Sequence, residues 1–368
     1  MSSAEPAPAP QIRIDQLTGM RTIVAPGRAD RPNAFAPTPD ATEAEAKDRC
    51  PFCEGAEDMT PPEVWADRAA GGGADSPGWR VRSVPNLYPI LAGPEAAGPG
   101  IAAEQRSAGP ARGVEAAGDG RAAGRPGAAG PRAQESGFSS VADPLQQSRR
   151  SGELDLFRSL PAQGAHEVIV NSPSHETRLA ALDEEQFGYA VRGWRDRIAA
   201  HADSAAYVHL IVNEGRLAGA SLEHTHAQLY ALPFVPAEVA RERERFSAYS
   251  DRTMGGALLA DVATEEVRRG DRLVAVDDDA LLICPWASRT PYELRVIPRT
   301  PAARFELDGE VGTTMLRTAL VALSRAFEHP PPLSLWVRTA PSGVQRFHWH
   351  VDIAPRLVIK AGFELGTG

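Results

Sequence analysis

The chain has 368 residues, 42% of them hydrophobic, which is enough for two ordinary domains or one large duplicated one. Its formal net charge of −9 excludes a nucleic-acid surface as its main business, and no apolar run is long enough to span a membrane. The opening "MSSAEPAPAPQIRIDQ" lacks the basic start and apolar centre of a signal peptide, so the expected compartment is the cytoplasm.

In chain order, residues 1–10 read as a disordered Ala/Pro tail and "RTIVAP" as a first strand. Next comes Cys50-Pro-Phe-Cys53, two of only three cysteines. Three are too few for a disulfide framework, and a reducing compartment turns a close pair toward metal or redox use. The spacing suits a zinc knuckle, with Pro51, Phe52 and Gly55 fitting its tight turn. A redox pair would sit at a helix start after a strand, and no strand precedes this one. Two cysteines need two more ligands, for which histidines are the credible source. Cys284 stands alone in an apolar run and reads as a small buried hydrophobe.

"WRVRSVPN" is a second strand, followed by residues 94–150, rich in Gly, Ala, Pro and Arg. Such text cannot bury enough surface to offset its ordering entropy and reads as a flexible insertion. Strands resume at "HEVIVNSP", with His166 at its start as a strand-edge polar residue or a ligand candidate. His175 is either a helix cap or a ligand. "DEEQFGYAVRGWRDRIAAHA" has helical spacing, with Asp183 as cap and Phe187, Val191 and Trp194 on one face. His201 reads as surface and His209, in the strand "YVHLIVNEG", as core.

The loop "NEGRLAGASLEHTHAQ" then carries Asn213, Gly215, Gly219 and Ser221 into His224, His226 and Gln228. Small residues let backbone N–H groups approach phosphate oxygens. Alternate residues of a strand share a face, so two imidazoles and a carboxamide are aligned in "HAQLYALP". A neutral imidazole attacks phosphorus to give an N–P intermediate, and the Gln228 amide can donate to its non-bridging oxygen. A sugar-phosphate leaving group is a stable anion and needs little acid help.

The second half echoes the first in order: "YELRVIPRTPAARFEL", a helix in "GTTMLRTALVALSRAF", then "LSLWVRTAP" and "FHWHVDIAP". His348 and His350 repeat His224 and His226. The reading is a duplicated α+β protein, with two mixed or antiparallel sheets and helices packed on one side of each. The halves span residues 11–238 and 239–368.

"CPFCEG", "HEVIVNSPSH", "NEGRLAGASLEHTHAQ", "FHWHVDIAPR" and "AGFELGTG" resemble the galactose-1-phosphate uridylyltransferase family of the histidine-triad superfamily. The resemblance implies that each half is a histidine-triad-like unit, the second degenerate. It implies His226 as the nucleophile, Gln228 supporting the phosphate, and Cys50, Cys53, His175 and His224 as ligands of one structural zinc. Arg28, Arg31, Asn86, Asn213, Gly219 and Ser221 match substrate-phosphate and nucleotide contacts, and Gly362, Phe363 and Glu364 the segment that meets the hexose. Ser221 is carried with His226 and Gln228 in the catalytic set. The family usually has proline where this chain has Thr225. Arg338 replaces a histidine that some relatives use, with positions like His348 and His350, for a second metal, leaving that site doubtful. The chain stops at "GTG", where relatives continue.

The implied activity is exchange of a nucleoside monophosphate between a nucleotide sugar and a hexose 1-phosphate, in galactose metabolism. The alternatives are a phosphorylase with inorganic phosphate as acceptor, and a zinc-stabilised nucleotide-binding protein without turnover. Hydrolysis is disfavoured by Gln228. Expected partners are nucleotide sugar and hexose 1-phosphate, with no nucleic-acid polymer, no membrane, and a homodimer as the assembly.

Overall fold

Period-two alternation and β-branched residues resolve, in a computed structural model that describes residues 11–24, 50–91, 162–357 and 361–367, into two antiparallel sheets of unequal size. Residues 1–10, Arg28, Arg31 and the 94–150 insertion lie outside the described residues. The small sheet pairs β1 (Gln11–Ile14) with β2 (Arg21–Val24).

The large one contains β3 (Trp65–Asp67), β4 (Val81–Pro85), β5 (Ala165–Val170), β6 (Tyr207–Glu214) and β7 (His226–Leu232) from the first half. The second half adds β8 (Leu273–Val276), β9 (Ala280–Ile283), β10 (Leu294–Pro298), β11 (Leu333–Arg338) and β12 (His350–Pro355). Their order is β3-β4-β5-β7-β6-β11-β12-β10-β9-β8.

The α+β class holds, but the two expected sheets are joined into one ten-stranded sheet. The reason is at their edges. Alone, β6 and β11 would each expose a row of unpaired N–H and C=O groups; here they pair antiparallel from Leu333↔Glu214 to Val337↔Leu210. The register makes the internal echo visible. Ile211 lies opposite Gln228 in the first half and Trp336 opposite Asp352 in the second. These corresponding positions, Ile211 and Trp336, then pair with each other at the junction. We propose the boundary between the halves at residues 238/239, with β6 and β11 meeting about a local pseudo-dyad.

Helix α1 (Glu184–His201) starts at Asp183, whose carboxylate accepts from the Gln186 N–H at 2.8 Å. Its Phe187, Val191, Trp194 and Ile198 pack on Ile169, Leu210, Val212, Ala227 and Leu229 of the sheet. On the same face, α4 (Thr313–Arg325) lays Leu316, Leu320 and Leu323 over the second half. The expectation of helices on one side fails at the other face. There α2 (Ala237–Arg252) and α3 (Leu258–Arg269) cover Leu281, Ile283 and Ile297 with Phe246, Leu258, Leu259 and Ala263. Without them that apolar surface would meet water. Among the described residues, the corresponding face of the first half carries no such helix and holds Cys50, Phe52, Trp79, Val84, Val168 and Val170 instead. A short α5 (Gly362–Thr367) follows β12.

One buried ionic group ties α1 to the sheet. Arg197 donates twice to Glu167 of β5, at 2.8 Å each, and Ser83 of β4 adds a third hydrogen bond. His201, expected on the surface, lies 2.6 Å from the same carboxylate. Burial raises the Glu167 pKa, but its bonds to His201 and Arg197 outweigh this and hold it at about 2. The depressed carboxyl stabilises the fold above its unfolded pKa, and that contribution disappears as pH falls toward about 2. Glu167→Gln should cost about 3 kcal/mol near neutral pH. In urea titrations it should also flatten the loss of stability between about pH 5 and about pH 2. Equal acid slopes in the two proteins would contradict the assignment.

Candidate active site

The open face of the first half is built by strand alternation. On β7, Ala227, Leu229 and Ala231 enter the core, so His226, Gln228 and Tyr230 face the opposite way. On β5, Ile169 faces the core and Val168 packs beside the cysteine pair. His166, the next alternate position on that face, approaches Gln228 to 3.4 Å. On β6, Val208, Leu210 and Val212 go to the core, leaving His209, Ile211 and Asn213 on the open face. His209, expected in the core, is half-buried there instead.

His224 sits just before β7, fully buried, and is turned by three contacts. Its Nε2 lies 2.9 Å from the Ser172 carbonyl, which fixes the proton on that nitrogen. The lone pair on Nδ1 then faces Cys50 Sγ at 3.5 Å and Cys53 Sγ at 3.7 Å. His175 presents Nδ1 to Cys53 Sγ at 3.4 Å. The four ligand atoms all lie within 4.8 Å of one another. A tetrahedral centre with bonds of about 2.0–2.3 Å separates sulfur and nitrogen ligands by roughly 3.5 Å, so the donor set fits a metal ion. Burial pulls the His224 pKa to about 4, keeping the ring a neutral ligand.

The pair sits on a turn closed by the Cys53 N–H to the Cys50 carbonyl at 3.4 Å and continued through Gly55, whose φ is +92°. Glu57 braces the turn. Its carboxylate accepts from the Gly55 N–H at 3.1 Å and from Trp79 Nε1 at 2.7 Å.

Thr225, at the usual proline position, is 2% exposed and donates its N–H to the Glu176 carbonyl at 2.6 Å. A proline has no such N–H. The Thr225 hydroxyl accepts from Asn171 Nδ2 at 3.2 Å, and Asn171 Oδ1 accepts from Trp194 Nε1 at 2.8 Å. The turn between the two histidines is therefore anchored to the core helix by hydrogen bonds. It lets His224 reach the sulfurs while the next histidine belongs to the strand.

His226 is 5% exposed, and its Nδ1 donates to the His224 carbonyl at 2.7 Å. That leaves the Nε2 lone pair as the reactive one. Burial lowers the His226 pKa, so the ring is neutral, and Phe52 packs against it with centroids 5.2 Å apart. Gln228 is half-buried, and its Oε1 accepts from the Tyr230 hydroxyl at 2.6 Å. Neutral imidazole beside carboxamide is an arrangement for nucleophilic attack on phosphorus, with a donor ready for the charge that develops.

Among the other expected residues, Asn86 donates its N–H to the His166 carbonyl at 2.8 Å and sets its carboxamide 3.1 Å from His166 Nε2. Asn213 lies near the end of β6, next to the pair Val212↔Ala227. Ser221 and Gly219 are exposed in the loop before His224. Gly219 has φ +91°, but the N–H groups of Ala218, Gly219 and Ala220 close the turn internally on Gly215 and Arg216. Those three amides are thus not phosphate donors in this conformation. Phe363 is 62% exposed on α5, which also contains Gly362; the side chain of Glu364 lies outside the described residues.

The second half repeats part of this geometry. His348 Nε2 lies 2.9 Å from the Pro298 carbonyl, and His350 Nδ1 3.2 Å from the His348 carbonyl. Asp352 stands where Gln228 does and pairs with Arg295 at 2.6 Å, while Arg338 pairs with Glu238 of α2 at 2.7 Å. Two residues on the open face had not stood out in the sequence. Tyr230 carried no motif signal, and His166 read equally well as a strand-edge residue.

Residues 126–236 match the family described as galactose-1-phosphate uridyl transferase, N-terminal domain. An ADP-glucose phosphorylase of Arabidopsis thaliana is 25% identical over 98% of this chain and 88% of its own. A galactose-1-phosphate uridylyltransferase of Cryptococcus neoformans is 27% identical over 61% of this chain and 66% of its own. A crystal structure of the Arabidopsis phosphorylase with bound ADP-glucose shares the fold, with a TM-score of 0.68 at 24% identity over 98% of this chain and 94% of that one. Among the described residues no helix is long and apolar enough to cross a membrane. The chain is thus similar, over residues 126–236 and along its length, to proteins of the galactose-1-phosphate uridylyltransferase family.

Proposed function

We propose that the protein is an enzyme that moves a nucleoside monophosphate from a nucleotide sugar to a phosphate-bearing acceptor through a covalent intermediate on His226. The observation that carries this is the His226 ring, its pKa lowered by burial and its Nδ1 held by the His224 carbonyl, on the same strand face as Gln228 two residues on. Nε2 attacks the α-phosphorus, the N–P bond forms, and the P–O bond to the sugar phosphate breaks. Gln228 donates to a non-bridging oxygen, and Ser221, Asn86, Asn213, Arg28 and Arg31 are proposed to meet the nucleotide and phosphates. Gly362, Phe363 and Glu364 are proposed at the hexose. The assembly proposed is a homodimer.

Two acceptors fit the second half-reaction. Galactose 1-phosphate, with a UDP-sugar as donor, is favoured by the family match and by relatives named as uridylyltransferases. Inorganic phosphate, with ADP-glucose as donor, is favoured by the relative named as a phosphorylase, whose similarity runs over 98% of this chain. Incubating the protein with UDP-glucose or ADP-glucose labelled in the α-phosphate should leave acid-labile label on wild type and none on His226→Ala. Offering the isolated labelled enzyme each acceptor then decides. Discharge faster to phosphate than to any hexose 1-phosphate makes it a phosphorylase; the reverse makes it a transferase.

The metal proposed for Cys50, Cys53, His175 and His224 is zinc, because two thiolates and two imidazoles in a closed tetrahedral set are its usual structural ligands. Bound there, it would fix the strand entry and supply no step of the transfer. Elemental analysis should find about one zinc per chain. Cys53→Ala should lower both the metal content and the melting temperature. Protein purified without chelator that contains no zinc would contradict the assignment.

A further inference from the structure

Three adjacent strands place a row of rings across the open face: His166 on β5, Tyr230 on β7 and His209 on β6. The register aligns them, since His166↔Tyr230 and His209↔Tyr230 are cross-strand pairs. His166 and Tyr230 stack, with centroids 4.2 Å apart and an angle of 24°. His209 lies at 6.5 Å on the other side of the Tyr230 ring. The phenol is thereby held between two neighbours, and its hydroxyl ends 2.6 Å from Gln228 Oε1.

This matters because a carboxamide has two faces that differ only in polarity. Turned one way, Gln228 offers its NH₂ to a phosphoryl oxygen; turned the other, it offers a carbonyl and repels that oxygen. The choice is made by whatever the far end of the amide touches. A phenol that donates to Oε1 selects the first orientation. His166 Nε2 lies 3.4 Å from the same oxygen but also 3.1 Å from Asn86 Nδ2, so the selection rests on the phenol.

Resting on the nucleotidyl-His226 reading, we propose that Tyr230 is a positioning residue. Its hydroxyl, backed by the stacked His166 ring, holds the Gln228 carboxamide with its NH₂ turned toward the phosphoryl group on His226. Burial raises the Tyr230 phenol above its ordinary pKa, so the hydroxyl stays a donor. The contribution is to preorganisation: the amide does not have to rotate when charge develops on phosphorus.

The test is a double-mutant cycle on the rate of label transfer from the α-phosphate of the donor to the full-length protein. Tyr230→Phe keeps the ring and its stacking and removes only the hydroxyl. It should slow nucleotidylation roughly tenfold while leaving donor affinity and melting temperature near wild type. Gln228→Ala should be slower still, and Gln228→Ala with Tyr230→Phe no slower than Gln228→Ala alone. A hydroxyl that merely stabilised the sheet would lower the melting temperature and act equally in both backgrounds. Losses that multiply in the double mutant, or full speed in Tyr230→Phe, overturn the proposal. Absence of label on wild type overturns the nucleotidyl-His226 reading and takes this proposal with it.

Discussion

The geometry of the open face depends on where His224 is pinned. One ring nitrogen meets the Ser172 carbonyl at 2.9 Å, the other meets two sulfurs, and the residue's own carbonyl receives His226 Nδ1 at 2.7 Å. A single side chain thus links the Cys50/Cys53/His175 cluster to the tautomer of the proposed nucleophile. If the cysteines were lost, His224 would keep its carbonyl contact but lose what holds Nδ1. The carbonyl that orients His226 would then be free to move. Small displacements of this kind cost a reacting pair much of its advantage.

The second half shows which parts of the arrangement come from the fold and which are specific to the site. His348 and His350 reproduce the carbonyl contacts of His224 and His226, so those contacts follow from a His-x-His strand in this register. The cysteines, the glutamine and the open face have no counterpart there. Asp352 replaces Gln228 and is neutralised by Arg295, and both are buried. Helix α2 brings Glu238 and Glu242 over Arg338. Burial raises the Glu242 pKa to about 7, and the Arg338 charge counters only part of it. Histidines alone do not make the site.

Much of the fold was legible because its signals are local. Asp183 was readable as a cap from its position before an apolar period, and alternation marked β4 to β7. The fusion of two sheets was not legible, since β6 and β11 are far apart in sequence and either could equally have been an edge. Helix α2 is strongly charged and gives little sign that Val239, Glu242 and Phe246 are buried. The candidate ligands were named through family likeness; spacing alone could not join Cys53 to His175, 122 residues away. Tyr230 was invisible because its partner Gln228 is two residues off, whereas its backing ring His166 comes from another strand.

The central claim is that Nδ1 of His226 is occupied by the His224 carbonyl and that Nε2 does the chemistry. The most direct measurement is phosphorus–nitrogen coupling in nucleotidylated protein carrying nitrogen-15 histidine. The account predicts coupling of the phosphorus to Nε2 of His226, with Nδ1 still bearing its proton. Phosphorus attached to Nδ1, or to any other histidine, would contradict it.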